Sequence, residues 1–363
     1  MIPFLNLVPG PDADDVRAAI ERVVTRGWFV LGPELDAFEK EFAAAAGSAH
    51  AVGVGTGTDA LALALRAAGL RAGDEVITAP LSAAYSALAI MMAGARPVFA
   101  DIDPDRLTLD PAKVEAAITP KSRAIMPVHL YGQAADMPAL MRIAARHNLV
   151  VIEDCCQAHF ATCAGQPVGS FGIAAAYSFY PTKNLGALGD GGAITTGSAD
   201  LAARLRRLRN GGQTDRYHHG EFGVNSRLDE MQAAILRARL SWVPRWTDER
   251  RRLAAEYRRQ LKDAPVVVPA EHDSGHVYHL FPILSRDRAA LQAQLKTRGI
   301  ETLIHYPVPI PRQPALAAEH PSNCPVADRI CAEVLSLPLH PGMSSADVAT
   351  VTAAVHAFSA AHP

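Results

Sequence analysis

The chain has 363 residues, 49% hydrophobic and 20% charged, enough to bury a large core and to divide into about two domains. Its formal net charge is -2 with acids and bases interspersed, so no single-sign field is available to hold nucleic acid or an anionic membrane, and any phosphate must be gripped locally. Five cysteines without a Cys-x-x-Cys pair argue for reduced packing residues rather than a disulfide framework or zinc site, and no metal is expected.

The opening Met1-Ile2-Pro3-Phe4-Leu5-Asn6 has neither a basic segment nor a long apolar core, so no secretory signal is expected and a cytoplasmic location is. An amphipathic helix is expected over Asp12 to Val24, followed by a turn at Gly32-Pro33. From about residue 50 to 200, short Val/Ile-rich runs alternate with Ala/Leu-rich periodic segments. The strands expected are Ala51 to Val54, Glu75 to Thr78, Pro97 to Asp101, Ala124 to Val128, Val150 to Glu153, Ala175 to Phe179 and Gly192 to Thr195. The helices expected between them are Asp59 to Ala68, Ala84 to Ala93, Pro111 to Ile118, Met137 to His147 and Leu201 to Leu208. The charge-free stretch Val76 to Ala95 is interrupted by Pro80, Ser82, Tyr85, Ser86 and Gly94, and reads as strand, turn and helix rather than a membrane span. Leu228 to about Leu261 reads as a long helical stretch broken near Pro244, with strands at Val266 to Val268 and Val277 to Ile283 beyond it. The expected fold class is α/β, a mostly parallel sheet with helices on both faces plus a smaller α+β C-terminal part. Residues 1–30 are then a segment that packs on the rest, 31–245 a large domain and 246–363 a small one.

Three stretches carry candidate chemistry. Gly53-Val54-Gly55-Thr56-Gly57-Thr58-Asp59 is a Gly-rich turn between a strand and a helix, either a phosphate cradle made of helix-start amides or a structural tight turn. It matches neither the dinucleotide fingerprint nor a P-loop. Asp154 ends an apolar strand at the edge where ligands bind in parallel sheets; it could face a protonated ring nitrogen, a magnesium ion or a ribose, or simply be a solvated cap. Lys183 lies between an apolar strand and Gly-rich turns among uncharged neighbours. A lone lysine is usually a surface charge, but partial desolvation there would lower its pKa, as imine chemistry needs. Together a phosphate cradle, an acid for a pyridinium nitrogen and an imine-forming lysine suit pyridoxal 5'-phosphate.

At this point the chain resembles the DegT/DnrJ/EryC1/StrS family of nucleotide-sugar aminotransferases, of the fold type I pyridoxal-phosphate enzymes. The resemblance rests on Gly32 to Phe38, Gly57-Thr58-Asp59-Ala60-Leu61, Pro127-Val128-His129-Leu130-Tyr131-Gly132-Gln133, Ile152 to His159, Ser178 to Gly192, Asn225 to Ala234 and His305-Tyr306-Pro307. It implies Lys183 as the Schiff-base lysine and Asp154 as partner of the ring nitrogen. It also implies Gln157 beside the ring hydroxyl, and Thr56, Gly57, Thr58 and Ser178 around the phosphate. Asn225 would reach that phosphate from a neighbouring subunit, so a homodimer with shared sites is implied. Tyr180, His305 and Tyr306, with Tyr217, His218 and His219 of the partner's loop, are the sugar-contact candidates. The implied reaction transfers an amino group from L-glutamate to a nucleotide-linked keto sugar, most like the enzymes acting at C3 of a dTDP-3-keto-6-deoxyhexose. C4 amination of a 4-keto-6-deoxysugar and an idle regulatory relative are the alternatives. Lys183 disfavours the deoxygenating branch, which typically has His there. Three departures stand out: Leu81-Ser82-Ala83-Ala84 offers no ring-stacking aromatic before Tyr85, Phe160 replaces a usual Gly, and Gly211 replaces a frequent aromatic or His.

Overall fold

The structure, a computed structural model, describes residues 1–317 and 322–358. Two helices, α1 (Ala13–Arg26) and α2 (Pro33–Ala45), lead into an alternation of β1 (His50–Val54), α3 (Gly57–Ala67), β2 (Glu75–Thr78), α4 (Tyr85–Met92), β3 (Arg96–Phe99), α5 (Pro111–Ala116), β4 (Ser122–Met126), α6 (Met137–His147) and β5 (Val150–Asp154). A small hairpin, β6 (Thr162–Cys163) and β7 (Gln166–Pro167), precedes β8 (Ala174–Ser178), β9 (Gly192–Thr196) and α7 (Ala199–Leu208). A second hairpin, β10 (Gln213–Asp215) and β11 (His218–His219), is followed by α8 (Glu230–Leu240), α9 (Val243–Gln260), β12 (Phe281–Leu284), α10 (Arg288–Thr297), α11 (Pro325–Glu333), β13 (Val334–Leu337) and α12 (Ser345–His356).

Seven strands form one sheet in the order β1-β9-β8-β5-β4-β2-β3. Only β9 runs antiparallel to its neighbours; the remaining pairs are parallel. Successive side chains of a strand point to opposite faces, and the cores divide accordingly. Val76, Ala124, Ile152, Ala176 and Ile194 pack with Leu61, Leu65, Ile90 and Leu205 on one face. Ile77, Ile125, Val151, Ala175 and Ala193 pack with Phe38, Phe42, Leu140 and Ile143 on the other. Both faces are covered, so the strands read as continuous apolar runs. The charge-free stretch is β2, a turn and α4, and no helix among the described residues is long and apolar enough to cross a membrane. A separate core joins Leu253 and Tyr257 of α9, Leu291 and Leu295 of α10, Leu335 and Leu337 of β13, and Val351 and Val355 of α12.

Two local expectations change. Gly32-Pro33 opens α2 rather than a simple turn: Pro33 occupies the first helical position, where its missing N–H costs nothing. The Glu230 carboxylate accepts from the N–H groups of Gly32, Glu34 and Leu35 at 2.9, 2.9 and 2.8 Å, doing the work a local cap would do. Of Val277 to Ile283 only the last three residues, 281–283, are in a strand, pairing with β13. Tyr278 has φ 46°, incompatible with a strand, and the N–H groups of Val277 and Leu280 go to the carbonyls of Gly132 and Tyr131. Val267 makes a single bridge to Leu284 and no strand. The long helical stretch breaks at Ser241-Trp242, and Pro244 sits in the first turn of α9. Ahead of the sheet, Ala19 and Val23 of α1 bury themselves against Ala234 of α8.

Candidate active site

Because β9 alone is reversed, its start lies at the same sheet edge as the ends of β1, β5 and β8. Asp154, at the end of β5, is 4% exposed. One of its carboxylate oxygens accepts from the Ser86 hydroxyl at 3.0 Å, the other from the Cys156 N–H at 3.1 Å. Lys183 is carried by the loop between β8 and β9, which is clamped by Phe179 N–H to Gly191 O at 2.8 Å and Ala187 N–H to Phe179 O at 2.7 Å. Burial lowers the Lys183 ammonium pKa below the ordinary lysine value, and the nearby Cys156 thiol and Asp154 carboxylate only partly oppose that fall. A partly desolvated amine and a buried acid thus share one cleft.

Thr56 caps α3, its hydroxyl accepting from Asp59 N–H at 3.0 Å. The Gly57 and Thr58 amides of this first turn have no acceptor within the helix, which is what an anion site requires. A Cβ on Gly57 would lie 2.7 Å from Ser178 Cβ and 3.0 Å from Cys156 Sγ, so the cradle closes tightly only with glycine there. The Ser226 hydroxyl ties the turn down, donating to Asp59 at 2.7 Å and accepting from Gly55 N–H at 2.9 Å. Next to it Asn225 is exposed and bridges to Asn210 through its backbone.

Gln157 is buried, with its carbonyl accepting from Tyr131 N–H at 2.9 Å and its amide donating to the Tyr306 hydroxyl at 2.9 Å. Burial raises the Tyr306 pKa, so its phenol keeps its proton at neutral pH. His305 is lowered to about 4 by burial and by Lys183, and its Nδ1 meets the Ser336 hydroxyl at 3.0 Å. Tyr180 is 52% exposed beside the loop of Lys183. The structure does not bring Tyr217, His218 and His219 into this group: they are exposed on the β10–β11 hairpin, where His219 Nδ1 meets Gly211 O at 2.7 Å and His218 pairs with Asp215.

Sequence reasoning missed Ser86, an uncharged residue in an apolar helix with nothing local to single it out, and Tyr131, whose hydroxyl donates to His305 O. Tyr85 opens α4 and is 63% exposed. Phe160 faces the core instead of a pocket, its ring 5.6 Å from that of Phe42, with φ 61° explaining why glycine suits the position. His129, Glu153 and Cys155 come close enough to suggest a metal, but the carboxylate and the imidazole are already engaged. Glu153 accepts from Gly169, Phe171 and Gly172 N–H and meets His129 Nε2 at 3.1 Å, while His129 Nδ1 accepts from Ala135 N–H. His272 and His276 have ligand-like spacing but lie in no helix, and His276 Nδ1 accepts from Tyr278 N–H.

Comparison with known proteins identifies the family and the fold. The family model described as the DegT/DnrJ/EryC1/StrS aminotransferase family matches residues 12–356. A dTDP-3-amino-3,4,6-trideoxy-alpha-D-glucose transaminase of Streptomyces venezuelae is 47% identical over 99% of this chain and 96% of its own. A pleiotropic regulatory protein of Geobacillus stearothermophilus is 45% identical over 90% of each chain. The crystal structure of S. venezuelae DesV in complex with a ketimine intermediate superposes with a TM-score of 0.95, covering 98% of this chain and 97% of that one.

Proposed function

The chain belongs to the DegT/DnrJ/EryC1/StrS aminotransferase family, and from that premise we propose that it is a pyridoxal-phosphate-dependent aminotransferase. Its reaction on this reading moves an amino group from L-glutamate to C3 of a dTDP-linked 3-keto-6-deoxyhexose. The observation that carries the proposal is a lysine with a lowered pKa sharing a cleft with a buried, doubly hydrogen-bonded aspartate. The transaminase name of the 47% identical relative supports the sugar and its C3 position.

The residues fit the cofactor. Asp154, fixed by Ser86 and Cys156, would hold a protonated ring nitrogen. The α3 start with Thr56, Gly57, Thr58 and Ser178 would hold the phosphate, Gly57 being packed against Ser178 and Cys156 where a Cβ would collide. When bound, the group supplies an electron sink for negative charge developing at the substrate carbon. Lys183 would carry the proton between that carbon and the cofactor, its burial-lowered pKa easing release of its own proton. Gln157 would hold the ring hydroxyl side and orient Tyr306, leaving the phenol proton free for a sugar oxygen. Tyr180 and His305 complete the sugar contacts within one subunit.

A homodimer completes the site on this reading. Tyr217, His218 and His219 lie exposed on the β10–β11 hairpin, Asn225 is exposed beside Ser226, and Trp28, Phe29 and Val30 are 54%, 52% and 39% exposed, apolar area suited to a second copy. We read residues 31–245 as the cofactor domain and 246–363 as the small one, with 1–30 packed across. Five unpaired cysteines fit a cytoplasmic location. The regulatory name of one relative favours a second reading, a catalytically idle regulatory protein that keeps the fold; Lys183 and Asp154, both in place, weigh for catalysis.

The absorbance of the purified, cofactor-loaded protein with and without L-glutamate, beside Lys183→Ala, tests this. A visible band that bleaches with glutamate in the wild type and is missing from the variant is expected. A protein that takes up no pyridoxal phosphate would overturn the proposal and leave the regulatory reading.

A further inference from the structure

The loop that carries Lys183 is tied down by residues distant in the chain. At its far end Arg239 Nη1 of α8 donates to Gly186 O at 2.7 Å, and Leu188 N–H donates to Gln232 Oε1 at 2.9 Å. At the lysine itself the anchor is the next side chain. Asn184 is 5% exposed; its amide donates to Val277 O at 3.0 Å, and its carbonyl oxygen meets His279 Nδ1 at 3.2 Å. A backbone carbonyl can only accept, so the Asn184 amide has one orientation here and His279 donates from Nδ1. Burial first, then the Lys183 ammonium, holds His279 well below the ordinary histidine range, so its ring is neutral with that one N–H to give.

Residues 277–280 form a strap that is itself held in place. Val277 and Leu280 belong to the core beneath the sheet and Tyr278 to the separate core of α9, α10 and α12, so neighbouring residues join the two. Arg250 of α9, 5% exposed, reaches Tyr278 O, His279 O and Leu339 O at 3.2, 3.3 and 2.8 Å. The strap lies directly on Gly132, where a Cβ would stand 2.9 Å from the backbone nitrogens of Tyr278 and His279. The lysine loop closes on its own through Phe179, Ala187 and Gly191. What the Asn184 contacts add is the seating of that loop, at the lysine, on a fixed piece of the rest of the molecule.

We infer that Asn184 and His279 are positioning residues for Lys183, aiming its amine at the reacting centre by pinning the following residue to the 277–280 strap. The inference rests on the cofactor reading above and adds what holds the lysine in register with Asp154. Loss of either side chain leaves the other a buried polar group without its partner, and the lysine free to turn away.

The test uses two forms of the cofactor on the full chain freed of it. The aldehyde of pyridoxal phosphate condenses with the Lys183 amine, forming a carbon–nitrogen double bond and releasing one water; pyridoxamine phosphate carries an amine in that place and cannot, so its affinity reports the cleft without the lysine. In Asn184→Ala and His279→Leu, pyridoxal phosphate should bind about tenfold more weakly and its visible band should form more slowly, while pyridoxamine phosphate affinity stays within about twofold of wild type. His279→Asn, whose amide nitrogen can stand where Nδ1 stood, should restore most of what His279→Leu loses. Equal losses for the two cofactor forms, including a variant that takes up neither, would overturn the inference and leave these residues a packing role only. So would band formation as fast and as tight as in wild type, with the proposed function still standing. A wild type that binds neither form would instead remove the cofactor reading itself.

Discussion

His159 offers a quantitative test of how the buried histidines shape this protein. It is fully buried, both ring nitrogens lack partners, and the rings of Tyr177 and Phe179 stand 5.6 and 5.8 Å away. Burial first, and then the charge of Lys183, lowers its pKa from 6.5 to about 3, while the backbone at Ser178 pushes weakly back. Between those two values the unfolded chain takes up a proton that the folded protein refuses, so stability is lost as pH falls through this window. One such group costs up to about 1.4 kcal/mol per pH unit, or about 2–3 kcal/mol from pH 6.5 to 4.5. His276, lowered to about 3, and His305, lowered to about 4, add in the same direction. The perturbation is His159→Phe, which keeps a flat ring in an aromatic cage and removes the titration. Urea unfolding at pH 4.5, 5.5, 6.5 and 7.5, under identical cofactor conditions, should show the variant gaining on wild type by about one proton's worth of slope. At neutral pH it should be as stable or slightly more so, since two orphan nitrogens are gone. Parallel stability curves would refute the reasoning, because they would mean that His159 is protonated, or neutral, alike in both states.

Two substitutions probe the frame. Gly57→Ala puts a methyl 2.7 Å from Ser178 Cβ and should weaken pyridoxal-phosphate binding at least about tenfold by equilibrium dialysis, with little loss of helix content; unchanged affinity would show the cradle is looser than drawn. Glu230→Ala strips three backbone N–H groups of their acceptor and should destabilise by about 3 kcal/mol or more. A loss below about 1 kcal/mol in denaturant would mean water replaces the carboxylate without cost.

The sheet was readable because its strands are buried on both faces and so stand out as Val/Ile/Ala runs; β2 and α6 begin and end where expected. What was not readable depended on distant partners. The start of α2 is set by Glu230, nearly two hundred residues away, so no local cap announces it. Val277 to Leu280 has strand composition, yet tertiary bonds to Tyr131 and Gly132 take its amides. In the site, Lys183 and Asp154 were legible because each ends or follows an apolar strand within a distinctive local run. Ser86 was not, since its value comes only from meeting Asp154. Gln157 and Tyr306 were each singled out, but their pairing is a product of the fold.

The reversed strand β9 also sets an order of assembly. His50 to Val54 pairs only with Gly192 to Thr196, so a chain still emerging from the ribosome carries β1 as an open edge until well past Lys183. Asp154, Gln157 and the loop of Lys183 are made by then, while Ser226, His305 and Tyr306 follow later. The β1–β9 seam closes a long loop, which is slow, and an unpaired apolar edge invites other chains meanwhile. A truncation ending before Gly192 would therefore be expected to aggregate rather than to persist as a lone half-site, and the phosphate turn after β1 would be among the last parts of the molecule to become rigid.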